Sequence, residues 1–275
     1  MKSLKTPLRY PGGKSRAITK MAQFFPDLTN YKEFREPFLG GGSVALYATK
    51  AFPHLEIWVN DLYEPLANFW QQLQHDGDEL TKRLRCFKSQ YPNPERAKEL
   101  FLESKELVDD ARASLITRAV SFYIVNKCSF SGLTQASSFS KQASDSNFSL
   151  RGIEKLPGYS ELIQNWKITN QSYEDLLTDW NGAFVYLDPP YDIGDNLYGK
   201  KGGLHKFFDH DKFANDCDSH TAHMMVSYNS SQLVRDRFKE WIPNEYDHTY
   251  TMRSVGDYMK DQQKRKELVL TNYGI

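Results

Sequence analysis

An open α/β sheet is the fold that three stretches of this 275-residue chain predict. The apolar run Ala183-Phe184-Val185-Tyr186-Leu187 follows the turn residues Asn181-Gly182 and precedes Asp188-Pro189-Pro190-Tyr191, so it reads as a buried strand with a carboxylate at its carboxyl end. An extended segment, Tyr31 to Arg35, leads through Glu36-Pro37-Phe38-Leu39 into Gly40-Gly41-Gly42 and an apolar helical run from Ser43 to Leu46, the order of a nucleotide-type loop. About 20 residues further on, a second apolar strand, Leu55-Glu56-Ile57-Trp58-Val59, ends in Asn60-Asp61, where such folds place an acid on ribose hydroxyls. Each feature alone is common. Together they describe a Rossmann-like fold that binds an adenosyl group beside a second carboxylate.

Ahead of these, residues 8 to 15 (Leu-Arg-Tyr-Pro-Gly-Gly-Lys-Ser) contain the Gly-Lys-Ser of a phosphate-binding loop. That loop needs a glycine five positions before its Gly-Lys pair, where this chain has Leu8, and a strand before it, which is lacking. A Pro-Gly-Gly turn that presents Lys14 to a carboxylate is expected instead. Strand and helix signals alternate to about Gln74, with Pro65 in the first turn of a helix. From Asp76 to Lys127 the period is helical, through Leu80, Leu84, Phe87 and then Leu115, Ala119, Phe122, Tyr123, with a turn at Tyr91-Pro92-Asn93-Pro94. Cys128 to Leu150, rich in Ser, Gln and Phe, reads as one long loop. Alternation resumes near Trp166-Lys167-Ile168. The expected division is therefore a catalytic and cofactor-binding domain of residues 1–70 and 161–275, interrupted by a mainly helical module over 71–160.

Asp188-Pro189-Pro190-Tyr191 suits one chemistry. Asp188 emerges at the sheet edge where open α/β folds bind ligands. Two successive prolines remove two amide donors, so the turn presents only acceptors, the Asp188 carboxylate and the Pro189 carbonyl among them. The exocyclic amine of a nucleobase is a poor nucleophile because its lone pair is delocalised into the ring. Two fixed acceptors on its N–H groups favour the tetrahedral, nucleophilic form. Tyr191 adds a flat face against which an extruded base can stack.

On these motifs the sequence resembles the Dam-type adenine-specific DNA methyltransferases, the alpha class of amino-methylating enzymes, almost end to end. Leu8 to Lys14 resembles the family's N-terminal cofactor motif, Phe34 to Leu46 its glycine loop, Asn60-Asp61 its ribose acid and Asp188 to Tyr191 its catalytic motif; Val226 to Ser230 is similar to a later strand, and Arg253-Ser254 through Glu267-Leu268-Val269-Leu270 to its closing hairpin. The resemblance implies a methyltransferase sheet with an inserted target-recognition module, S-adenosylmethionine as cofactor, double-stranded DNA as partner, and methyl transfer to adenine N6 after base flipping. It implies Asp188, Pro189, Pro190 and Tyr191 as catalytic, and Tyr10, Lys14, Pro37, Phe38, Gly40, Gly42, Asp61 and Asp188 as cofactor-binding. It also implies DNA contacts from Arg9 and from the segment Asn126-Lys127-Cys128-Ser129-Phe130-Ser131-Gly132-Leu133-Thr134-Gln135, namely Asn126, Lys127, Phe130, Ser131, Leu133 and Gln135, with Lys141 and a later aromatic, Phe148. Relatives that read GATC commonly carry Arg where this chain has Gln135 and Asn at Ser131, and a Lys at Arg9. Arginine matches the two acceptors of guanine and glutamine matches adenine, so a different readout is expected. The same chemistry on RNA, on a protein amide, or a catalytically silent DNA-binding module are the alternatives; Asp rather than Asn at 188 disfavours the amide.

Composition agrees. The chain is 40% hydrophobic and 25% charged, ordinary for a globular protein. No stretch of 18 apolar residues exists and no apolar signal core follows the first lysines, so a cytoplasmic protein is expected. Cys86, Cys128 and Cys217 are odd in number and far apart, as free thiols would be. His220 and His223 could share a helical face but have no accompanying ligand cluster, so no metal is expected. Net charge is zero, yet Arg118 to Lys155 carries five basic against two acidic side chains and the segment from Arg253 five against three, an uneven distribution that fits a phosphate-facing surface.

Overall fold

The computed structural model describes residues 5–132, 137–179, 182–191, 208–247 and 266–274. Seven strands form one sheet: β1 (Glu33–Glu36), β2 (Glu56–Asn60), β3 (Trp166–Thr169), β4 (Ala183–Leu187), β5 (His223–Asn229), β6 (Ile242–Asp247) and β7 (Lys266–Thr271). Their order is β3-β2-β1-β4-β5-β7-β6. The first five run parallel, and β7 is antiparallel to both its neighbours. The chain steps outward from β1 through β2 to β3 and then returns to β4 on the other side. The crevice of an open sheet lies where the order reverses, here over the carboxyl ends of β1 and β4.

A parallel strand covered on both faces must be apolar throughout, and β4 is buried at all five positions. One apolar layer lies under Leu46, Ile57, Val59 and Phe184, and another under Val185, Leu187, Phe213, Val226 and Leu268. In β1 two charged residues, Arg35 and Glu36, are buried as well. The Arg35 guanidinium donates to the Leu176 carbonyl at 2.9 Å and to Thr178 Oγ1 at 2.7 Å and pairs with Glu33, which satisfies the charge locally.

The first helices are α1 (Ile18–Met21) and α2 (Ser43–Ala51). Between β2 and β3 come α3 (Glu64–His75), α4 (Gly77–Gln90), α5 (Pro94–Leu107), α6 (Leu115–Cys128), α7 (Lys141–Ser146), α8 (Leu150–Ile153) and α9 (Leu156–Leu162). The Pro-Asn-Pro turn separates α4 from α5 as expected: Asn93 caps α5 by accepting from Arg96 N at 3.0 Å, with Pro94 in its first turn. The expected boundary at residue 70 falls inside α3, and the one at 160 inside α9. The reason is packing. One face of α3 lies on the sheet, where Trp70 meets Trp166 at 5.6 Å, and another lies on α6, where Phe69 stacks on Tyr123 at 6.0 Å. Leu80, Leu84, Phe101 and Phe122 join the same apolar cluster as Ile57 and Val59.

Three expectations need correction. The long loop from Cys128 is shorter, because Ser140 and Ser149 cap α7 and α8 by accepting from Ala143 N and Gly152 N. Strand β6 was not anticipated, since it holds Pro243, Asn244 and Glu245. It is an edge strand, where a missing amide is tolerated. His220 and His223 share no helix: His220 lies in a turn 3.3 Å from Asp179, and His223 opens β5 against the Tyr31 hydroxyl. Arg253 and Ser254 of the expected hairpin lie outside the described residues. The cysteines are free, Cys128 and Cys217 buried and Cys86 exposed.

Candidate active site

Three strand ends build the site. After β1, the chain turns through Gly40 (φ +50°) and Gly42 (φ +68°), both left-handed, and Gly42 N closes the turn on the Leu39 carbonyl at 2.8 Å. A β-carbon on Gly42 would lie 2.7 Å from the Trp70 ring and one on Gly40 2.9 Å from the Tyr10 ring. The close approach these glycines permit is thus made by the protein's own aromatics, and Tyr10 lies over the loop as one wall of the cleft. Glu36, at the last position of β1, is buried, and its Oε2 accepts from Ala45 N at 2.7 Å, filling one of the orphan amides that open α2. Burial pushes the Glu36 carboxyl well above its ordinary range.

At the end of β2, Asn60 ties three segments together, donating to the Pro37 and Gln171 carbonyls at 3.1 and 3.0 Å. Asp61 follows. Its two oxygens accept from Gly40 N and Tyr63 N, each at 2.9 Å, so the acid and the glycine loop are joined directly. Burial pushes the Asp61 carboxyl up to about 6, against the pull of those two amides. A carboxylate has about four acceptor positions, so two remain.

At the end of β4, Asp188 meets Lys14. The ammonium donates to both carboxylate oxygens at 2.8 and 2.9 Å, to Tyr191 Oη at 2.7 Å and to the Gly12 carbonyl at 3.3 Å. The turn that brings it there is closed by Gly13 N on the Tyr10 carbonyl, 3.1 Å, as the failed phosphate-loop test leads one to expect. Burial alone would lower the Lys14 ammonium, but Asp188 and Glu267 beside it hold it well above its ordinary value. Lys14 therefore meets a carboxylate, as its turn leads one to expect, and that carboxylate is Asp188. Tyr191 is fixed by its hydroxyl, which donates to Glu267 Oε2 at 2.9 Å, and its ring lies 5.8 Å from Tyr228. Asp61, Asp188, the proline turn, Tyr191 and the glycine loop all line one cleft, closed on a further side by Phe38 stacked on Tyr173 at 5.5 Å.

The expected DNA contacts are placed less uniformly. Asn126 is fully buried; its amide donates to the carbonyls of Arg9 and Gly132 at 2.7 and 2.9 Å and accepts from Arg9 N at 2.9 Å. It fastens the N-terminal segment to the loop after α6, rather than facing outward. Gly132 (φ +76°) permits that contact, since a β-carbon there would meet Arg9 at 2.6 Å. Arg9 donates to the Ser129 carbonyl at 2.7 Å. Lys127 is buried over the Tyr123 ring, and burial, with Arg9 nearby, pushes its ammonium down to about 7. Phe148, expected near DNA, is a core residue. Phe130 is 43% exposed, Lys141 is exposed and paired with Glu95 at 2.7 Å, and Ser131 lies in the Phe130–Gly132 turn. Leu133 and Gln135 lie outside the described residues.

Comparison with known proteins decides the family. The model of the D12 class N6 adenine-specific DNA methyltransferases matches residues 10–253. The chain belongs to this family. It is similar to the Type II methyltransferase M1.LlaDCHI of Lactococcus lactis subsp. cremoris, 26% identical over 97% of this chain and 94% of that one. It is also similar to the Type II methyltransferase M.MjaIII of Methanocaldococcus jannaschii, 24% identical over 67% of this chain and 68% of the relative. A third, the Type II methyltransferase M.CviBI of Paramecium bursaria Chlorella virus NC1A, is 20% identical over 98% and 100%.

The protein is thus a site-specific adenine DNA methyltransferase, and it uses a methyl donor. For such an enzyme the relevant geometry is a carboxylate, Asp188, held by a cation at the end of a strand that neighbours the one leading into the glycine loop. Two buried carboxyls of this methyltransferase, Glu36 and Glu267, were not singled out from sequence. For Glu267 the available signal was its place at the head of the apolar run Leu268-Val269-Leu270; Glu36 follows Arg35 in a largely polar strand and carried none.

Proposed function

We propose that the cleft binds S-adenosylmethionine and that Asp188, with the Pro189 carbonyl, holds the N6 amine of an adenine flipped out of double-stranded DNA. The observation that carries this reading is the meeting of Asp188, Asp61 and the glycine loop in one cleft at the point where the strand order reverses. The residues suit the cofactor. Asp61 keeps acceptor positions for two ribose hydroxyls, Tyr10 and Phe38 provide apolar walls, with Pro37, Gly40 and Gly42 shaping the floor, and no phosphate loop competes. The cofactor, when bound, supplies an electrophilic methyl group.

What the chain supplies is position. Asp188 and the Pro189 carbonyl accept from the amine, Lys14 fixes the carboxylate, and Tyr191 presents its ring to the base. In-line attack needs alignment more than a strong base, because the amine becomes acidic only as the new bond forms. Phe130, Arg9 and Lys141 meet the duplex, and the resemblance adds Ser131, Leu133 and Gln135 as contacts; Asn126 and Lys127 support that face from within. Residues 71–160 form the target-recognition module and the remainder the catalytic part. By analogy with its Type II relatives the enzyme protects DNA in a restriction-modification pair, in the cytoplasm. Among the described residues no helix is long and apolar enough to cross a membrane.

Expression in a methylation-free host, followed by modified-base sequencing, tests the reading. N6-methyladenine in one short motif, absent with Asp188→Ala, is the expected result; methylation that persists with Asp188→Ala sinks the assignment.

A further inference from the structure

Glu267 lies on β7 opposite Asn229 of β5, behind Asp188 and beyond the segment the family model matches. It is fully buried, between β5 and the edge strand β6. Its Oε2 accepts from Tyr191, and the Ser227 hydroxyl lies beside the same buried carboxyl. A carboxyl is costly to bury, and this one makes no direct ion pair among the described residues. What reaches it is a continuous chain: Asp188 to Lys14 at 2.8 Å, Lys14 to Tyr191 at 2.7 Å, and Tyr191 to Glu267 at 2.9 Å. The hydrogen-bond polarity is consistent along it, since the ammonium donates to the phenol oxygen and the phenol donates onward to the carboxyl.

We propose that Glu267 is the final acceptor of the proton lost by the adenine amine. The proposal rests on the assignment of Asp188 as the amine's acceptor. The N6 nitrogen bonds the methyl carbon while that carbon's bond to its donor breaks and the electron pair stays with the donor. The cationic amine then gives one N–H proton to Asp188. Lys14 passes a proton to the Tyr191 oxygen as Tyr191 passes its own to Glu267 Oε2, and Lys14 takes the proton held by Asp188. Asp188 is again a carboxylate, Lys14 an ammonium and Tyr191 a phenol, and Glu267 carries the proton as a neutral acid. No unpaired charge is left against the base.

The surroundings fit an acceptor that works near neutrality. Burial pushes the Glu267 carboxyl up to about 7, against the nearby Lys14 ammonium; Asp188 also faces it, as do Tyr191 from the proline turn, Ser227 from β5 and Tyr246 from β6. A proton-transfer group is most effective when its affinity for protons lies close to the working pH.

The test is Glu267→Gln, which keeps an oxygen to accept from Tyr191 but takes no proton. Single-turnover methylation of pre-bound DNA should slow by roughly tenfold or more. The acid-side fall of the rate, with a midpoint near 7 in the parent, should flatten. Affinities for DNA and cofactor should hold. Difference infrared spectra of the free protein, titrated through the same range, should show a carboxylic-acid band that Glu267→Gln abolishes. Tyr191→Phe, which cuts the chain but keeps the ring, should flatten the same limb, and serves if Glu267→Gln does not fold. An unchanged rate and acid limb in either variant, or a loss confined to affinity, overturns the proposal. Methylation that survives Asp188→Ala would instead overturn the underlying assignment.

Discussion

Lys14 grips both oxygens of Asp188 across 174 positions of sequence. The ammonium is 2% exposed and the carboxylate, at the cleft wall, 20%, so the ammonium has no solvent to turn to for an alternative partner. Lys14→Ala should therefore destabilise the fold by about 3–5 kcal/mol, the usual cost of leaving one charge of a buried pair alone. Urea unfolding measures this. Lys14→Met paired with Asp188→Asn should recover most of the stability and none of the activity.

In the proposed role of Asp188, Asp188→Ala removes the amine's acceptor but no phosphate contact. Methyl transfer should fall by far more than tenfold, while DNA affinity changes by less than about 1 kcal/mol. Band-shift titration beside a transfer assay separates the two.

For Asp61 the expectation concerns pH. Its carboxyl is raised in the folded protein to about 6, so the ionised form, with its full set of acceptors, exists above that value. Cofactor affinity should weaken as pH falls through 6, and Asp61→Asn should bind weakly at every pH. The raised value also means that Asp61 favours the fold at low pH and loses that contribution as pH rises through 6. Calorimetry at several pH values checks the first part and thermal unfolding the second.

Gly42→Ala should cost at least about 2 kcal/mol, because φ is positive and the new carbon would meet the indole of Trp70 at 2.7 Å. Chemical denaturation gives the number. A loss below about 0.5 kcal/mol would show that the loop rearranges.

Sequence readout should depart from that of GATC enzymes. Gln135→Ala should relax preference at one or two base pairs, each discriminated by about 1–3 kcal/mol. Lys141→Ala should weaken binding evenly across sequences and lower the salt slope by about 1, once the ammonium has left Glu95 for a phosphate. Methylation confined to GATC and unaltered by Gln135→Ala would remove that residue as a reader.

The strand ends of β1, β2 and β4 were legible because their signals are local: an apolar run, then a carboxylate or glycines at a fixed offset. Asp61 and Asp188 were found in that way and Lys14 from its Pro-Gly-Gly turn, and the three share one cleft. Their partners were harder to read. That the carboxylate facing Lys14 is Asp188 emerges only in the folded chain, and Glu267 meets Tyr191 through the pairing of β5 with β7. Asn126 and Lys127 look like surface residues by type, yet α6 buries both. The loop expected from Cys128 to Leu150 hid α7 because the serine that caps it is also a loop former. Strand β6 hid behind its proline.

The double-faced packing of α3 limits how such an enzyme can be given a new target. Phe69 and Trp70 are adjacent, yet the first answers to Tyr123 of α6 and the second to Trp166 of β3. A recombinant cut at residue 70 would sever a helix between those two demands. Grafts from a relative should carry the donor's α3 from Glu64 onward together with its α6, and chimeras joined in the turn before Glu64 should express where those joined inside the helix precipitate.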